Sequence, residues 1–288
     1  MTAKVSRQES KEFQLKVLWP LKAGKIALPP AVTDRQIFKH VSQVIAAAVS
    51  RLAGGHKTVT VFNDNLWRRD GVRYDTAGRD LKRHDLTLAI EATDERTKLK
   101  CKQHNFIPEL LFDKPRQSVC YPDIDASGSY KKHDSKLKLE QDIHFSNIKY
   151  CASGSLFVKG RAEKVKDLGF FSHYFPALER ILPADTRLQE VSRWDEAVFD
   201  DMLTSWNRIE FSNWMLVNRW NREDNSLQES ELSFKIDKTM SEDWDYPKLQ
   251  RAAQLYLELQ KSGAFQAVPP IFFFNDPVSS TPIRIEAE

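Results

Sequence analysis

The chain has 288 residues, 41% hydrophobic and 29% charged, a globular balance that excludes a disordered polymer and allows a sizeable core. Its 43 basic and 40 acidic residues leave a net charge of +3, which points to no nucleic-acid partner but leaves room for a local basic cavity. No run of about 18 apolar residues occurs, so no membrane span and no membrane partner are expected.

In chain order, residues 1–11 are polar and read as frayed. The opening MTAKVSRQESKEF lacks the apolar segment of a signal peptide, so a cytoplasmic location is expected. EFQLKVLW (12–19) alternates apolar and polar residues, as a two-faced strand does. TDRQIFKHVSQVIAAAVSRLAGG (33–55) has helical spacing, a Thr33 or Asp34 start and a Gly54–Gly55 stop. KTVTVF (57–62) is a strand, WRRD (67–70) reads as a solvated turn, and Val72–Tyr74 reads as a short strand. LTLAIE (86–91) and TKLKCK (97–102) alternate, and three prolines mark 103–129 as a long connection. SKLKLEQDIHF (135–145) alternates again, and 163–182 predicts one or two short helices. Residues 208–220 are strand-rich, 221–226 form a polar turn, 229–236 alternate, and 247–263 predicts a helix with Pro247 in its first turn. Trp194, Trp206, Trp214 and Trp220 read as core or cross-strand aromatics. Cys101, Cys120 and Cys151 form no C-x-x-C pair, so free thiols are expected. The arrangement is α+β, without a βαβ rhythm.

No nucleotide-loop, zinc-helix or nucleophile-elbow motif is present. The chemistry lies in the alternation. Side chains two apart on a strand share a face. Lys98, Lys100 and Lys102 therefore stand together. So do Lys136, Lys138, Glu140, Asp142 and His144, with Leu137, Leu139 and Ile143 opposite. Glu12, Gln14 and Lys16 share a third face, and Glu231, Ser233 and Lys235 a fourth. Solvated outer faces of an antiparallel sheet would look the same. Three lysines in register, however, repel one another unless an anion lies over them, and interleaved acids and amines are what a metal and a phosphate need. If the four faces turn inward, they line a barrel that binds a polyphosphate.

KEFQLKV, RYDTAGRDLKRHDLTLAI, TKLKCK, KLKLEQD, SRW and ESELSFKI occur in an order that resembles the CYTH superfamily of triphosphate tunnel metalloenzymes. The resemblance covers roughly residues 9–262. It implies an eight-stranded antiparallel β-barrel with flanking helices, expected here as one domain over 1–288. It also implies a small phosphate or polyphosphate ligand, with Mg²⁺ or Mn²⁺ as cofactor. Carried over by position, it implies Glu12, Lys16, Glu140, Asp142 and Glu231 as catalytic residues. Glu12, Glu140, Asp142 and Glu231 would hold the metal. Lys98, Lys100, Lys102, Lys138, Arg187, Arg193 and Lys235 would grip phosphate. The pattern departs from the family at Gln14, Ser233 and Lys235, where acids are expected, and at Ala89 and Glu91, where arginines are expected. Three readings stay open: a metal-dependent triphosphate hydrolase, a polyphosphate or nucleotide binder that has lost metal ligands, and a barrel whose interior charges only satisfy one another.

Overall fold

In a computed structural model, the structure describes residues 6–17, 33–93, 96–104, 124–125, 135–144, 148–159, 165–200, 202–206, 208–223, 227–239 and 242–266. Cys120, nearly all of the predicted connection at 103–129 and the last residue of the predicted strand 135–145 lie outside them.

The strands are β1 (Ser6–Val17), β2 (Thr58–Phe62), β3 (Trp67–Asp75), β4 (Leu86–Ala92), β5 (Arg96–Gln103), β6 (Lys136–Ile143), β7 (Ile148–Lys159), β8 (Gln189–Phe199), β9 (Met202–Trp206), β10 (Ile209–Phe211), β11 (Trp214–Asn221), β12 (Leu227–Thr239) and β13 (Phe265–Gln266). The helices are α1 (Asp34–Ala53), α2 (Asp80–Arg83), α3 (Gly169–Ser172) and α4 (Tyr246–Lys261), with a 3₁₀ turn at Pro176–Arg180.

Neighbouring strands run in the order β12-β11-β8-β3-β4-β5-β7-β6-β1, and β1 pairs back onto β12, so nine strands close a barrel. This corrects the expectation of eight antiparallel strands. An odd ring cannot alternate direction throughout, so one pair must be parallel. That pair is β1 with β6, in register from Ser6↔Lys136 to Phe13↔Ile143. The closing pair is antiparallel, from Gln8↔Thr239 to Lys16↔Glu231. The N-terminal expectation is corrected as well. Residues 6–11 are not frayed, because pairing on both sides extends β1 back to Ser6. WRRD is also no turn. It is the first half of β3, paired to β8 from Trp67↔Val198 onward.

The apolar faces point outward and build two cores outside the barrel wall. Phe13, Leu15, Leu216, Leu232 and Phe234 pack with Ile37, Val41 and Ile45 of α1 and with Leu255 and Leu259 of α4. Leu88, Leu99, Leu137 and Leu156 pack with Leu81 of α2, Phe171 of α3 and Phe175. Helices and loops thus cover the sheet from outside, and the barrel's interior is left to the charged residues.

Thr33 caps α1 through a capping box with Gln36, and Gly54 ends it in the left-handed region at φ 55°. Asp34 in its first turn clamps α1 to the barrel. Its carboxylate accepts from Asn218 Nδ2 at 3.0 Å, Trp220 Nε1 at 2.8 Å and Arg68 at 2.6 Å. Asp245 caps α4, Pro247 sits in its first turn and Gly263 follows its end at φ 69°.

Gly71 on β3 faces Trp194 on β8, its register partner. A Cβ there would lie 2.1 Å from Trp194 Cε2. Gly71→Ala must displace the indole and is expected to cost roughly 1–3 kcal/mol, read as a shift in the urea midpoint. An unchanged midpoint would show that the indole has room to move.

Candidate functional site

Inside the wall, period two places Arg69, Gly71 and Arg73 of β3 on one face, and Trp194 and Glu196 of β8 beside them. Glu91 and Ala89 of β4 stand opposite Lys98 and Lys100 of β5. Glu140 and Asp142 of β6, Glu12 of β1, Glu231 and Lys235 of β12 and Arg219 of β11 complete the ring. They line a cavity of about 930 Å³. Thirteen lysine and arginine side chains face it against seven carboxylates.

The chain is a closed, charged β-tunnel. This is the architecture that the CYTH resemblance implies, and it rests here on the strands' own closure and facing.

No family model matches the sequence, and no curated protein matches it. Among solved structures, the chain is similar to a proposed adenylyl cyclase from Hippeastrum described with a dominant triphosphatase activity. That match has 10% identity, covers 91% of this chain and 92% of that one, and has a TM-score of 0.45. It is also similar to a proposed adenylate cyclase from Bacillus halodurans, at 11% identity, 95% and 100% coverage and a TM-score of 0.40. A protein from Pyrococcus horikoshii aligns at 11% identity, 88% and 93% coverage and a TM-score of 0.30.

Most of the residues expected from sequence converge. Glu12, Lys98, Lys100, Lys102, Lys138, Glu140, Asp142, Glu231 and Lys235 all line the cavity. Lys16 shares the face of Glu12 but sits at the end of β1 and does not line the cavity. Arg187 and Arg193 are not brought to the site. Arg187 is exposed in an isolated bridge to Asp167. Arg193 alternates out of the tunnel between Ser192 and Trp194, and its guanidinium pairs with Glu190 at 2.6 Å. Trp194 is buried, as expected, but against the cavity rather than in either outer core.

Four residues that sequence reading passed over belong to the site: Arg69, Arg73, Glu196 and Arg219. Arg69 and Arg73 supply from β3 the positive charge missing from β4. Arg73 lies opposite Ala89 and stacks over Trp194 at 4.6 Å. Arg69 pairs with Glu196 and, at 2.9 Å, with Glu91. Glu91 is therefore no unanswered charge reversal; Lys100 also holds it.

The carboxylates fall into two networks. In one, Arg219 donates to Glu196 at 2.8 Å, to Glu229 at 2.6 Å and to Glu231 at 3.1 Å. In the other, Lys102 lies 3.0 Å from Asp142 and 3.3 Å from Glu140, and Lys235 lies 2.8 Å from Glu12. Burial alone would raise the Glu140 carboxyl, but Lys102, Lys235 and Lys138 hold it well below the ordinary carboxylate range. Burial opposes the charge on Lys102, yet Asp142 and Glu140 raise its pKa well above normal.

Lys98 differs from these. It makes no ion pair among the described residues and lies over the Phe157 ring at 5.7 Å. Burial, then Lys100, bring its pKa down to about 7, against the pull of Glu91.

Asp75 and Thr76 have a structural role. Asp75 accepts from the backbone N–H groups of Thr76 and Leu81 at 2.7 and 3.0 Å, and Thr76 Oγ1 bonds Asp80. That turn sets Arg79, Lys82 and Arg83 on the lining of the cavity.

Cys151 Sγ lies 3.7 Å from His104 Nδ1 and 3.5 Å from Asp142. Burial pushes the thiol's pKa up, and burial with Lys102 brings the imidazole down to about 3. A protonated thiol beside a neutral ring that binds no proton at neutral pH is no nucleophile.

The implied divalent ion does not fit this donor set. Glu12, Glu140, Asp142 and Glu231 are each in contact with a lysine or arginine of the chain. Among the described residues, no group of three His, Cys, Asp or Glu converges as a metal site. No described helix is long and apolar enough to cross a membrane.

Proposed function

We propose that the tunnel binds a linear polyphosphate, free or on an organic carrier, without a metal and without turning it over. One observation carries this reading: the tunnel cavity of about 930 Å³ has thirteen basic side chains facing seven carboxylates, in a chain whose net charge is only +3. That volume suits a small ligand. A closed wall admits no duplex.

Lys98 is the ammonium best placed to meet phosphate oxygens, because no carboxylate pairs with it among the described residues. Lys100 and Arg69 flank it across Glu91. Arg73, over the Trp194 ring, presents a planar donor set suited to phosphate. Arg79, Lys82 and Arg83 add steering charge. A purely self-satisfied interior fits Arg219 and Lys102 but leaves Lys98 as a costly buried charge. Hydrolysis fits less well. In-line attack by water needs neutralised phosphoryl charge and an acceptor for the proton. The acids implied for that work are all bound to cations of the chain.

Calorimetry with inorganic triphosphate in excess chelator tests the reading. Wild type is expected to bind one molecule per chain, and Lys98→Met to bind about ten-fold or more weakly, the loss of one charge-assisted contact. Absence of binding in chelator, or equal affinity in Lys98→Met, would overturn it. Steady phosphate release would return the hydrolase reading.

A further inference from the structure

The three-stranded sheet β10-β9-β2 lies outside the barrel ring, and its two edges differ. β10 is three residues long and carries the exposed Glu210. A short, charged strand is a poor template for further pairing. β2 is the opposite. Its inner edge pairs with β9 from Thr58↔Trp206 to Phe62↔Met202. Among the described residues, no strand pairs with its outer edge. Thr58–Phe62 reads TVTVF, without a charge, a proline or a glycine. Val59 and Val61 are 39% and 42% exposed. An uncharged, β-branched open edge is a template for another strand.

The flanks of β2 say which strand fits. The exposed Lys57 precedes it and the exposed Asp64 follows it. Arg35 engages Oδ2 of that carboxylate at 2.7 Å and leaves Oδ1 for a second cation. A second copy of β2 running antiparallel, with Thr60 against its counterpart, brings each Lys57 to the Asp64 end of the other copy. It also sets Val59 of each copy against Val61 of the other, all on one solvent face. Parallel pairing would bring like flanks together. Valine pairs across strands and opposed charges both favour the antiparallel arrangement. Such a contact is isologous, so it closes on two copies and leaves no open β2 edge.

We propose that β2 is a dimerisation edge, through which two copies of this chain join their three-stranded sheets across a twofold axis at Thr60. Two five-residue edges are a small contact against the roughly 1,200 Å² of a stable interface, so the dimer is expected to be reversible. β2 is not part of the barrel, so this pairing neither needs nor tests polyphosphate binding.

Sedimentation of the full chain from about 10 µM to 1 mM is expected to show a monomer–dimer equilibrium. Val61→Lys sets an ammonium against Val59 of the other copy. Position 61 is exposed, so its circular dichroism is expected to match wild type, while dimerisation weakens about ten-fold or more. Lys57→Glu is expected to weaken the dimer about two- to five-fold, the scale of an exposed ion pair. Thr60→Cys tests the register. Antiparallel partners lie about 4.5–5.5 Å apart at Cα, within disulfide range. Under a mild oxidant this variant is expected to cross-link where wild type does not. Thr58→Cys, whose counterpart is displaced along the strand, is expected not to. Monomer throughout, the outcome if the edge serves a different protein or another segment of this chain, overturns the proposal. So does a dimer that Val61→Lys leaves unchanged and Thr60→Cys fails to lock.

Discussion

Arg219→Met is expected to destabilise the protein by about 3–5 kcal/mol, the usual cost of removing one partner from a buried ion network. At this chain length that corresponds to a fall in melting temperature of about 10 °C. The guanidinium is 18% exposed and is the shared partner of Glu196, Glu229 and Glu231, whose side chains are 2%, 16% and 14% exposed. Without it, three carboxylates face one another in the tunnel wall, with only Arg69 left on Glu196. Burial, then Glu229 and Glu12, already raise the pKa of Glu231, with Arg219 opposing them. Its loss pushes that pKa higher. A carboxyl whose folded pKa lies above its unfolded value favours folding as pH falls, because the folded state then binds the extra proton. The deficit should therefore be largest at neutral pH and shrink as acidification protonates the carboxyls. Urea denaturation at two pH values checks both size and sign. Pairing Arg219→Met with Glu229→Gln should restore part of the loss. A variant as stable as wild type at pH 7, or a deficit that grows with acid, would show that these carboxylates are solvated rather than held by Arg219.

The parts of the tunnel legible in the sequence were those with contrast between faces. TKLKCK and SKLKLEQDIHF set charge on one side and leucine or cysteine on the other, so period two identified Lys98, Lys100, Lys102, Lys138, Glu140 and Asp142 before any fold was known. The helices were legible too, because Thr33, Gly54, Pro247 and Gly263 mark their ends. Contrast fails where the outer face is polar as well. In WRRDGVRYD the inward Arg69 and Arg73 alternate with the outward Arg68 and Asp70, and Arg68 is charged because it reaches Asp34. In QEVSRWDEAVF the inward Trp194 and Glu196 alternate with Arg193 and Asp195. Choosing an arginine there by motif order picked Arg193, on the wrong face. β7 was missed for the opposite reason: its inward Ser153 and Ser155 are small and uncharged, leaving room for the long lysines of β5 and β6. With β7 and β8 both unread as strands, the nine-strand ring and the parallel seam it forces were out of reach.

Lys98 is expected to cost stability and to return it when an anion binds. Its pKa is about 7 in the fold, against an ordinary lysine value of 10.5, chiefly through burial and then Lys100. Between those values the unfolded chain holds a proton that the folded chain has lost, so stability rises with pH across the interval. Below about pH 7 both states are protonated and the penalty is complete. A roughly tenfold change in proton affinity is worth about 1.4 kcal/mol, and the half-buried amine keeps some solvation, so Lys98→Met should gain roughly 2–4 kcal/mol at pH 7. That gain should fade as pH approaches about 10. A polyphosphate beside the amine raises its pKa again, because an anion favours the ammonium. Binding above pH 7 must then draw a proton from solution, and affinity must fall as pH rises. At about pH 8.5, calorimetry in two buffers of different ionisation enthalpy should report uptake approaching one proton per triphosphate bound. Lys98→Met should bind weakly, take up none and show a flat pH profile. If the variant is less stable than wild type at pH 7, the amine is well solvated or paired in the fold. If wild type binds triphosphate with no proton uptake, the anion sits elsewhere in the tunnel and Lys98 is not its contact.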